Sequence, residues 1–266
     1  MNLEGKTAFI TGGGGGIGNG MAQAFAERGM KLVLADIDPA RARDQATAFG
    51  DDAIAVELDV TSSASWASAR QVARDRFGSV DVLCNNAGVS MPREPLSQVA
   101  PEAFARVMAI NVTGVYLGIA TFADDLRAQR SGHIVNTSSM NGLLAFGSFA
   151  AYSASKFAVT GLSDAIRDEF APFGIGVSVL FPGLTRSLMS LADIESGQIP
   201  REGLESKMME PIWLGRMVVR AIEQNEPYII SHPSYRPIVE ARFRKLLDAF
   251  GEPAQPGFPG SGVIRP

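Results

Sequence analysis

A tyrosine and a lysine stand four residues apart at Tyr152 and Lys156, and Ser139 lies thirteen residues before the tyrosine. Positions four apart share one face of a helix, so the ammonium can lie beside the phenol. A free phenol, with a pKa near ~10, is a poor base at neutral pH, but a neighbouring positive charge favours the phenolate. A serine can hydrogen-bond a substrate oxygen and stabilise the charge that develops on it. These residue types predict proton transfer at an alcohol or carbonyl oxygen, although Ser139 alone could equally cap a helix.

A glycine-rich turn at residues 11–18 follows a short apolar strand and precedes a helix, and Gly12, Gly16 and Gly18 carry its pattern. Glycine lets the backbone turn sharply and approach a pyrophosphate, while the helix start directs free N–H groups at the anion. Five consecutive glycines alone could be a plain flexible turn, but a turn between strand and helix favours dinucleotide binding. Together with the Tyr152–Lys156 pair, this turn predicts hydride transfer between a nicotinamide cofactor and an alcohol or carbonyl.

Asp36 closes the second predicted strand, eighteen residues after Gly18. A carboxylate there can accept hydrogen bonds from the adenosine ribose and would repel a 2′-phosphate. Because the glycine turn also carries no Arg or Lys, we expect NAD as the cofactor, with NADP less favoured. The alternative is that Asp36 is an ordinary surface carboxylate without a role in cofactor binding. Arg41 and Arg43, which follow, are interpreted as part of a solvated helix face.

The bulk composition excludes several classes of protein. The 266 residues are 46% hydrophobic, which is enough for one large core. A net charge of −4 and a pI near 5.3 argue against a nucleic-acid partner. The single cysteine, Cys84, is interpreted as a core residue in a reducing compartment, so we expect a cytoplasmic protein. We expect no signal peptide, no stretch long enough to span a membrane, and no metal site, because His133 and His232 are far apart.

Strands and helices alternate along the chain, which predicts an α/β, doubly wound Rossmann fold: a seven-stranded, mostly parallel sheet with helices on both faces. The predicted strands are 7–10, 31–35, 53–58, 80–85, 133–136, 177–181 and 228–231. The predicted helices are 18–28, 39–49, 62–77, 101–126, 153–173, 212–224 and 238–250. Ligands of such folds bind at the carboxyl ends of the strands, where the motifs above lie.

The domain prediction is one catalytic domain, 1–250, followed by a Pro/Gly-rich tail, 251–266. Residues 188–211 have no clear period and are interpreted as a lid over the site. The tail is either a mobile end or an arm laid on a neighbouring subunit.

The chain resembles the short-chain dehydrogenase/reductase family over residues 1–187. The resemblance rests on the glycine turn, the segment 85–88, Asn111 within 110–114, Ser139 within 134–139, Tyr152 with Lys156, and Pro182–Gly183, all in the family's order and spacing. That spacing favours Ser139 over its neighbour Ser138.

The resemblance implies a catalytic set of Asn111, Ser139, Tyr152 and Lys156, in which Lys156 also holds the nicotinamide ribose and Asn111 supports a water leading to solvent. The implied cofactor-binding set is Gly12, Gly16, Ile17, Gly18, Asp36, Ile37, Asp59, Val60, Asn86, Ala87, Gly88, Tyr152, Lys156, Pro182, Gly183 and Thr185. The family's usual threonine four residues beyond the glycine is replaced by Ser187, so the assignment between Thr185 and Ser187 at the cofactor carboxamide or phosphate stays open.

The expected substrate pocket is apolar, because its candidate residues are Met140, Phe146, Phe149, Leu188, Met189 and Trp213. Such a lining favours a hydrophobic, bulky or aromatic secondary alcohol or ketone, although several of these side chains could instead pack within the lid. The C-terminal part more weakly resembles bacterial members that act on bulky secondary alcohols, including lignin-type aryl ethers.

Three functions stay open: an NAD-dependent dehydrogenase, a biosynthetic ketoreductase that uses NADPH, and a non-catalytic dinucleotide-binding protein. The family implies a homodimer or homotetramer through the two long helices. Val107, Ile119, Leu162 and Ile166 could serve that interface or face the sheet.

Overall fold

The protein is described by a computed structural model that covers residues 1–91, 93–195 and 208–251. Its sheet has seven strands in the order β3-β2-β1-β4-β5-β6-β7, and every pairing is parallel. The strands are β1 Thr7–Thr11, β2 Lys31–Asp36, β3 Ala53–Glu57, β4 Val82–Asn85, β5 Gly132–Thr137, β6 Ile175–Phe181 and β7 Tyr228–Ile230. The predicted doubly wound fold is confirmed, and the sheet is wholly rather than mostly parallel among the described strands.

The central strands are buried on both faces, as expected of a parallel sheet between helices. All residues of β1, β4 and β5 are buried. The edge strand β7 instead exposes Tyr228 and Ile230 on either side of the buried Ile229. The chain reverses its direction of strand addition between β1 and β4, so their carboxyl ends form the switch point at which such folds bind ligands.

Helices cover both faces of the sheet and enclose two apolar clusters. The helices in the same compact unit as the sheet are α1 Gly16–Ala26, α2 Pro39–Thr47, α3 Ser63–Phe77, α4 Pro101–Met108, α5 Gly114–Gln129, α6 Ala150–Phe170, α7 Leu188–Glu195 and α8 Pro211–Gln224. A further helix, α9 Arg236–Leu247, belongs to the unit that begins at His232. One cluster packs Phe25 of α1 with Leu214 of α8. The other joins Trp66, Phe122 and Phe170 of α3, α5 and α6.

The helix predicted at 101–126 is interrupted, so that prediction is wrong in detail. A π-helical turn, Ala109–Thr113, separates α4 from α5. The wider turn brings Asn111 to the interior, where its side chain is fully buried and hydrogen-bonded to the backbone of Val89. Those bonds compensate for the irregular backbone, and a uniform 3.6-residue period cannot reveal them.

The run from α4 to α5 also corrects the expectation about membrane spans. Among the described residues, Pro101–Gln129 has the length of a span and contains an 18-residue apolar window with a mean hydropathy of 1.5, a third of which is buried in the chain. Helices that pack on a core have the same length and composition. Three candidate interface residues, Val107, Ile119 and Ile166, are buried in apolar clusters of the chain and face inward. Leu162 is partly buried against one of these clusters, so its part in an interface stays a prediction.

The segment predicted as a lid is more regular at its start than expected. Residues Leu188–Glu195 form α7, and residues 196–207 lie outside the described part. The two ends of the segment are joined, because Met209 N donates to Leu184 O and Arg186 N donates to Met209 O, each at 3.0 Å. The described chain divides into two compact units, one that ends at Ser231 and one that begins at His232. The boundary at residue 250 stays a prediction, and residues 252–266 of the predicted tail lie outside the described part.

Candidate active site

The carboxyl ends of β1 and β4 are tied together by the hydroxyl of Thr11. Its Oγ1 accepts hydrogen bonds from the N–H groups of Asn86 and Ala87 at 2.8 and 2.9 Å. Asn86 Nδ2 in turn donates to Thr11 O at 3.0 Å. Thr11 therefore fixes the 86–88 turn beside the glycine turn. Sequence reasoning used Thr11 only to mark the motif and missed this role, which the motif itself could have signalled.

The glycine turn forms a cradle that side chains would fill. Gly12 has a φ of +67°, and a Cβ there would lie 3.1 Å from Asn86 Nδ2. A Cβ on Gly18 would lie 2.2 Å from Gly12 O, so the start of α1 sits directly on the turn. Gly16 and Ile17 open α1, two residues before the predicted start. This close approach of strand and helix places the N-terminus of α1 at the turn, where the first N–H groups of a helix have no intrahelical partner and can bind the diphosphate of a dinucleotide.

The cavity beside the glycine turn has a volume of about 520 Å³, within the range of small-molecule sites. Its lining residues are Gly14, Gly15, Gly16, Asn19, Gly20, Gln23, Arg41, Gln45, Arg186, Ser187, Leu191, Glu210, Pro211 and Ile212. They come from α1, α2, the segment after β6 and the start of α8. The cradle and the cavity together fit a dinucleotide.

Asp36 ends β2 and organises the turn next to it. Its Oδ2 accepts the N–H of Gly14 at 2.9 Å, and its Oδ1 accepts the N–H of Asp38 at 3.0 Å. A Cβ on Gly14 would lie 2.8 Å from Asp36 Oδ2, so only glycine permits this contact. Ile37 is 66% exposed beside it. The carboxylate is thus held at the edge of the cradle by two backbone donors.

The residues after β3 have local partners. Asp59 Oδ1 accepts the N–H of Thr61 at 2.9 Å and its hydroxyl at 2.7 Å. The carbonyl of Val60 accepts the indole N–H of Trp66 at 3.0 Å. Both residues shape the turn at this end of the sheet, and the expected part of Asp59 and Val60 in cofactor binding stays a prediction.

Lys156 is buried one helical turn beyond Tyr152 on α6. Its Nζ lies 5.6 Å from the centre of the Tyr152 ring and donates to Thr137 O at 2.9 Å. Burial lowers the pKa of Lys156 to about 8, so the ammonium still predominates at neutral pH. A Cβ on Gly88 would be 3.4 Å from Nζ, which places the 86–88 turn against the amine. Sequence reasoning missed Thr137, because a backbone carbonyl leaves no residue signature.

Asn111 holds the loop after Gly88 against α6. Its Oδ1 accepts the N–H of Val89 at 2.8 Å, and its Nδ2 donates to Val89 O and to Ser155 Oγ, each at 3.0 Å. Ser155 Oγ donates to Tyr152 O at 2.7 Å. Ser155 therefore links Asn111 to the helical turn that carries Tyr152. Its position next to Lys156 was the available signal, and sequence reasoning did not use it.

The two adjacent serines after β5 have different surroundings. Ser138 Oγ donates to Lys156 O at 2.9 Å and lies 3.1 Å from Thr160 Oγ1, inside the core. Ser139 Oγ accepts the N–H of Asn141 at 3.1 Å, and Ser153 Oγ donates to Asn141 Oδ1 at 3.0 Å. Ser138 is thus committed to internal bonds, while Ser139 connects through Asn141 to the residue next to Tyr152.

The turn after β6 is fixed by Ser231, whose Oγ accepts the N–H of Gly183 at 2.9 Å. Pro182 O accepts the N–H of Met140 at 3.0 Å, so this turn also abuts the segment after Ser139. Thr185 Oγ1 donates to Gly183 O at 3.2 Å and is buried. Ser187 lines the cavity. The choice between Thr185 and Ser187 as a cofactor contact stays open.

The candidate pocket residues differ in their contacts and in how exposed they are. Phe149 lies 6.1 Å from the Tyr152 ring, centre to centre, and Arg93 lies over its outer face at 4.6 Å. Met140 is buried, Phe146 is exposed and Met189 is partly buried. Trp213 is 56% exposed on α8, with Arg216 over its ring at 4.9 Å. The side chain of Leu188, which begins α7, lies outside the described part.

Among the residues that the structure describes, no group of three or more His, Cys, Asp or Glu side chains could hold a metal ion. Burial keeps the pKa of Cys84 well above its usual value, so this thiol is inert. His133 is buried in the sheet with its Nε2 2.7 Å from Ser178 Oγ, and burial lowers its pKa to about 3. Both residues are structural.

A parallel α/β sheet, a glycine cradle at its switch point and a Tyr–Lys pair beside it define a dinucleotide-binding oxidoreductase. Residues 6–196 match the family model described as short chain dehydrogenase. The chain therefore belongs to the short-chain dehydrogenase/reductase family, whose members are oxidoreductases of CH–OH groups. The resemblance inferred from the motifs is confirmed.

Several relatives share most of the chain. A 2,5-dichloro-2,5-cyclohexadiene-1,4-diol dehydrogenase of Sphingobium indicum is 36% identical over 68% of this chain and 73% of its own length. A 3-alpha-(or 20-beta)-hydroxysteroid dehydrogenase of Mycobacterium bovis is 32% identical over 85% of each chain. A crystal structure of a Burkholderia phymatum short chain dehydrogenase/reductase in complex with NAD superimposes with a TM-score of 0.84, at 30% identity, over 93% of this chain and 96% of that one.

Proposed function

We propose that this protein is an NAD-dependent dehydrogenase of a hydrophobic, bulky or aromatic secondary alcohol, with Tyr152 as the general acid and base. The observation that carries the proposal is the buried ammonium of Lys156, 5.6 Å from the Tyr152 ring and next to the dinucleotide cradle. A positive charge in this place favours the phenolate over the phenol. The pair is therefore suited to take a proton from an alcohol near neutral pH.

When bound, the nicotinamide supplies the hydride acceptor. Tyr152 takes the alcohol proton as the C–H hydride leaves, and it returns the proton when a ketone is reduced. Ser139 donates a hydrogen bond to the substrate oxygen and stabilises the charge on it. Ser138 is unsuited to this task, because it already donates to Lys156 O inside the core. Asn111 and Ser155 position Tyr152 and Lys156 through the hydrogen bonds described above.

NAD rather than NADP is favoured by the carboxylate of Asp36. Its two oxygens stand at the edge of the cradle, fixed by the N–H groups of Gly14 and Asp38. A ribose diol can donate to such a carboxylate, whereas a 2′-phosphate would meet a like charge. Gly12, Gly16, Gly18 and the 86–88 turn would hold the diphosphate and nicotinamide halves, while Ile37, Asp59 and Val60 would line the adenosine end.

The substrate class rests on the aromatic and apolar side chains around Tyr152. Phe149 contacts the tyrosine ring directly, and Met140 follows Ser139 in the chain. A lining of this type binds apolar groups through burial of surface. The names of the two relatives above indicate cyclic secondary alcohols as their substrates. We place the substrate of this chain in the same broad class.

We also propose a cytoplasmic homodimer or homotetramer, with no nucleic-acid or membrane partner. The run from α4 to α5 is apolar, yet only a third of its apolar window is buried within the chain. Phe104 and Tyr116 stand exposed on it, at 38% and 56%. An apolar helix face of this kind is suited to a second copy of the chain. The buried free thiol of Cys84 suits a reducing compartment.

The test is turnover with a panel of aliphatic, aromatic and steroid-like secondary alcohols, and NAD binding measured separately. We expect Tyr152→Phe to lose at least about 100-fold in kcat while its Kd for NAD stays within about two-fold of wild type. Phe keeps the ring beside Lys156 and Phe149, so it is a matched change. Reduction by NADPH at higher efficiency than oxidation with NAD would favour the biosynthetic ketoreductase instead. NAD binding without turnover of any alcohol or ketone in wild type would favour a non-catalytic binder.

A further inference from the structure

The cavity beside the glycine turn contains one cation that sequence reasoning did not assign. Arg186 lines the cavity together with Gly14, Gly15 and Gly16. Its backbone is fixed, because its N–H donates to Met209 O at 3.0 Å. This bond anchors Arg186 to the segment before α8, and Glu210, Pro211 and Ile212 of that region also line the cavity. Arg186 and the N-terminal residues of α1 therefore line one cavity.

The guanidinium is held by an acid that lines the same cavity. Arg186 Nε donates to Glu210 Oε1 at 2.8 Å, and the two side chains are 42% and 53% exposed. An ion pair this exposed contributes little net stability, so the guanidinium can exchange its partner at small cost. A dianionic diphosphate competes well for it, since arginine binds such oxygens through two N–H groups at once.

Glu210 is also stabilised without the arginine. It stands at the N-cap of α8, whose first residues Pro211 and Ile212 line the cavity. The Glu210 side chain makes no capping hydrogen bond, but a carboxylate at a helix N-terminus still interacts favourably with the helix dipole. Glu210 therefore does not become an isolated charge when Arg186 leaves it.

We propose that Arg186 is a diphosphate-binding residue, and that it exchanges Glu210 for the diphosphate of the dinucleotide. Glu210 stays within reach and recaptures the guanidinium when the cofactor leaves. The acid thus weakens cofactor binding and speeds cofactor release. This inference depends on the proposed dinucleotide cofactor but not on the identity of the alcohol.

Arg41 is the other described cation on the cavity wall, and it serves a different place. Its Cβ would lie 2.9 Å from a Cβ on Gly14, which is the residue bonded to Asp36. Arg41 Nε pairs with Asp38 at 3.1 Å, and Asp38 caps α2. Arg41 is therefore next to Asp36, at the expected ribose end, whereas Arg186 pairs with Glu210 at the α8 end of the same cavity.

The experiment measures the Kd of ADP-ribose and of adenosine by calorimetry, with no substrate present. Arg186→Gln should weaken ADP-ribose about ten-fold and leave adenosine within about two-fold, because only ADP-ribose carries the diphosphate. Glu210→Gln should tighten ADP-ribose by about two- to five-fold, since it frees the guanidinium and removes a negative charge. The loss in Arg186→Gln should shrink as salt is raised.

The matched controls are Arg216→Gln and Glu27→Gln, which break a similarly exposed ion pair, held by two hydrogen bonds, between α8 and the end of α1, outside the lining of this cavity. They should leave both affinities unchanged. Equal losses of ADP-ribose and adenosine in Arg186→Gln, no loss at all, or weaker ADP-ribose binding in Glu210→Gln would each overturn the proposal. Wild-type protein that binds neither ADP-ribose nor NAD would overturn the proposed function as well.

Discussion

Asp36→Asn separates the role of Asp36 in cofactor choice from its role in the fold. The carboxylate accepts two backbone N–H groups, from Gly14 at 2.9 Å and from Asp38 at 3.0 Å. An asparagine keeps one acceptor oxygen and presents an amide N–H₂ to the other donor. One of the two bonds is lost and the other becomes neutral, so we expect the free energy of unfolding to fall by about 1–2 kcal/mol.

The same substitution that destabilises the fold should make the binding of NADP more favourable relative to NAD. Two like unit charges about 5 Å apart repel by about 1–3 kcal/mol at the effective dielectric constants of protein surfaces and water. Removing the carboxylate charge therefore relieves the penalty on a 2′-phosphate by that amount, and it weakens the hydrogen bonds to a ribose diol. We expect the NAD-to-NADP preference to fall by about ten- to a hundred-fold.

The assay is the Kd of NAD and of NADP for wild type, Asp36→Asn and Asp38→Asn, with denaturant unfolding of each. Asp38→Asn is the matched control, because it removes the same charge two residues away. The Asp38 side chain caps α2 by accepting the N–H groups of Ala40 and Arg41. Asparagine is also a good N-cap, so Asp38→Asn should change stability little. An unchanged NAD-to-NADP preference in Asp36→Asn would refute the reasoning. An equal change of this preference in Asp38→Asn would also refute it, because the effect would then come from the net charge of the region and not from the position of Asp36.

Two further predictions concern the frame around the site. Burial lowers the pKa of His133 from 6.5 to about 3 in the folded protein. Below pH 6.5 the unfolded chain therefore binds a proton at this residue and the folded protein does not, so the free energy of unfolding decreases as the pH falls. At pH 5 we expect the free energy of unfolding, measured with denaturant, to be about 2 kcal/mol lower than at neutral pH. This pH dependence should disappear in His133→Gln and remain in the control His232→Gln. Equal pH profiles of His133→Gln and wild type would contradict the prediction. Gly118→Ala should cost about 2–3 kcal/mol, because its Cβ would lie 2.2 Å from Asn85 Oδ1, whereas Gly161→Ala, with nothing within 4 Å, should stabilise by about 0.5–1 kcal/mol in the same unfolding assay.

The succession of strands and helices along the chain and the residue types of the candidate site were predictable from local patterns. Short apolar runs between helical periods have few alternatives to a parallel α/β sheet. Tyr152 and Lys156 are one turn apart on a helix, so their proximity needs no tertiary information. The glycine turn and Asp36 belong to one strand–helix–strand unit, whose geometry is fixed by short connections.

The remaining features depend on tertiary contacts that a sequence pattern does not carry. The π-helical turn at Ala109–Thr113 is set by bonds from Asn111 to Val89, twenty-two residues away. The bond from Lys156 to Thr137 involves a backbone oxygen, for which no residue type is diagnostic. Arg186 looks like an ordinary surface residue until the fold brings it to the same cavity as the glycine turn.

The wall of that cavity depends on a second pair of glycines, outside the binding motif. A Cβ on Gly20 of α1 would lie 2.2 Å from Pro211 O, and a Cβ on Gly215 of α8 would lie 2.1 Å from Gly20 O. The backbones of the two helices are therefore in direct contact, which keeps Pro211 and Glu210 beside the glycine turn. From the sequence alone, each of these glycines would be interpreted only as a residue that destabilises a helix. Because both obstacles are backbone atoms, a side chain at either position would push the two helices apart and move Glu210 away from the glycine turn.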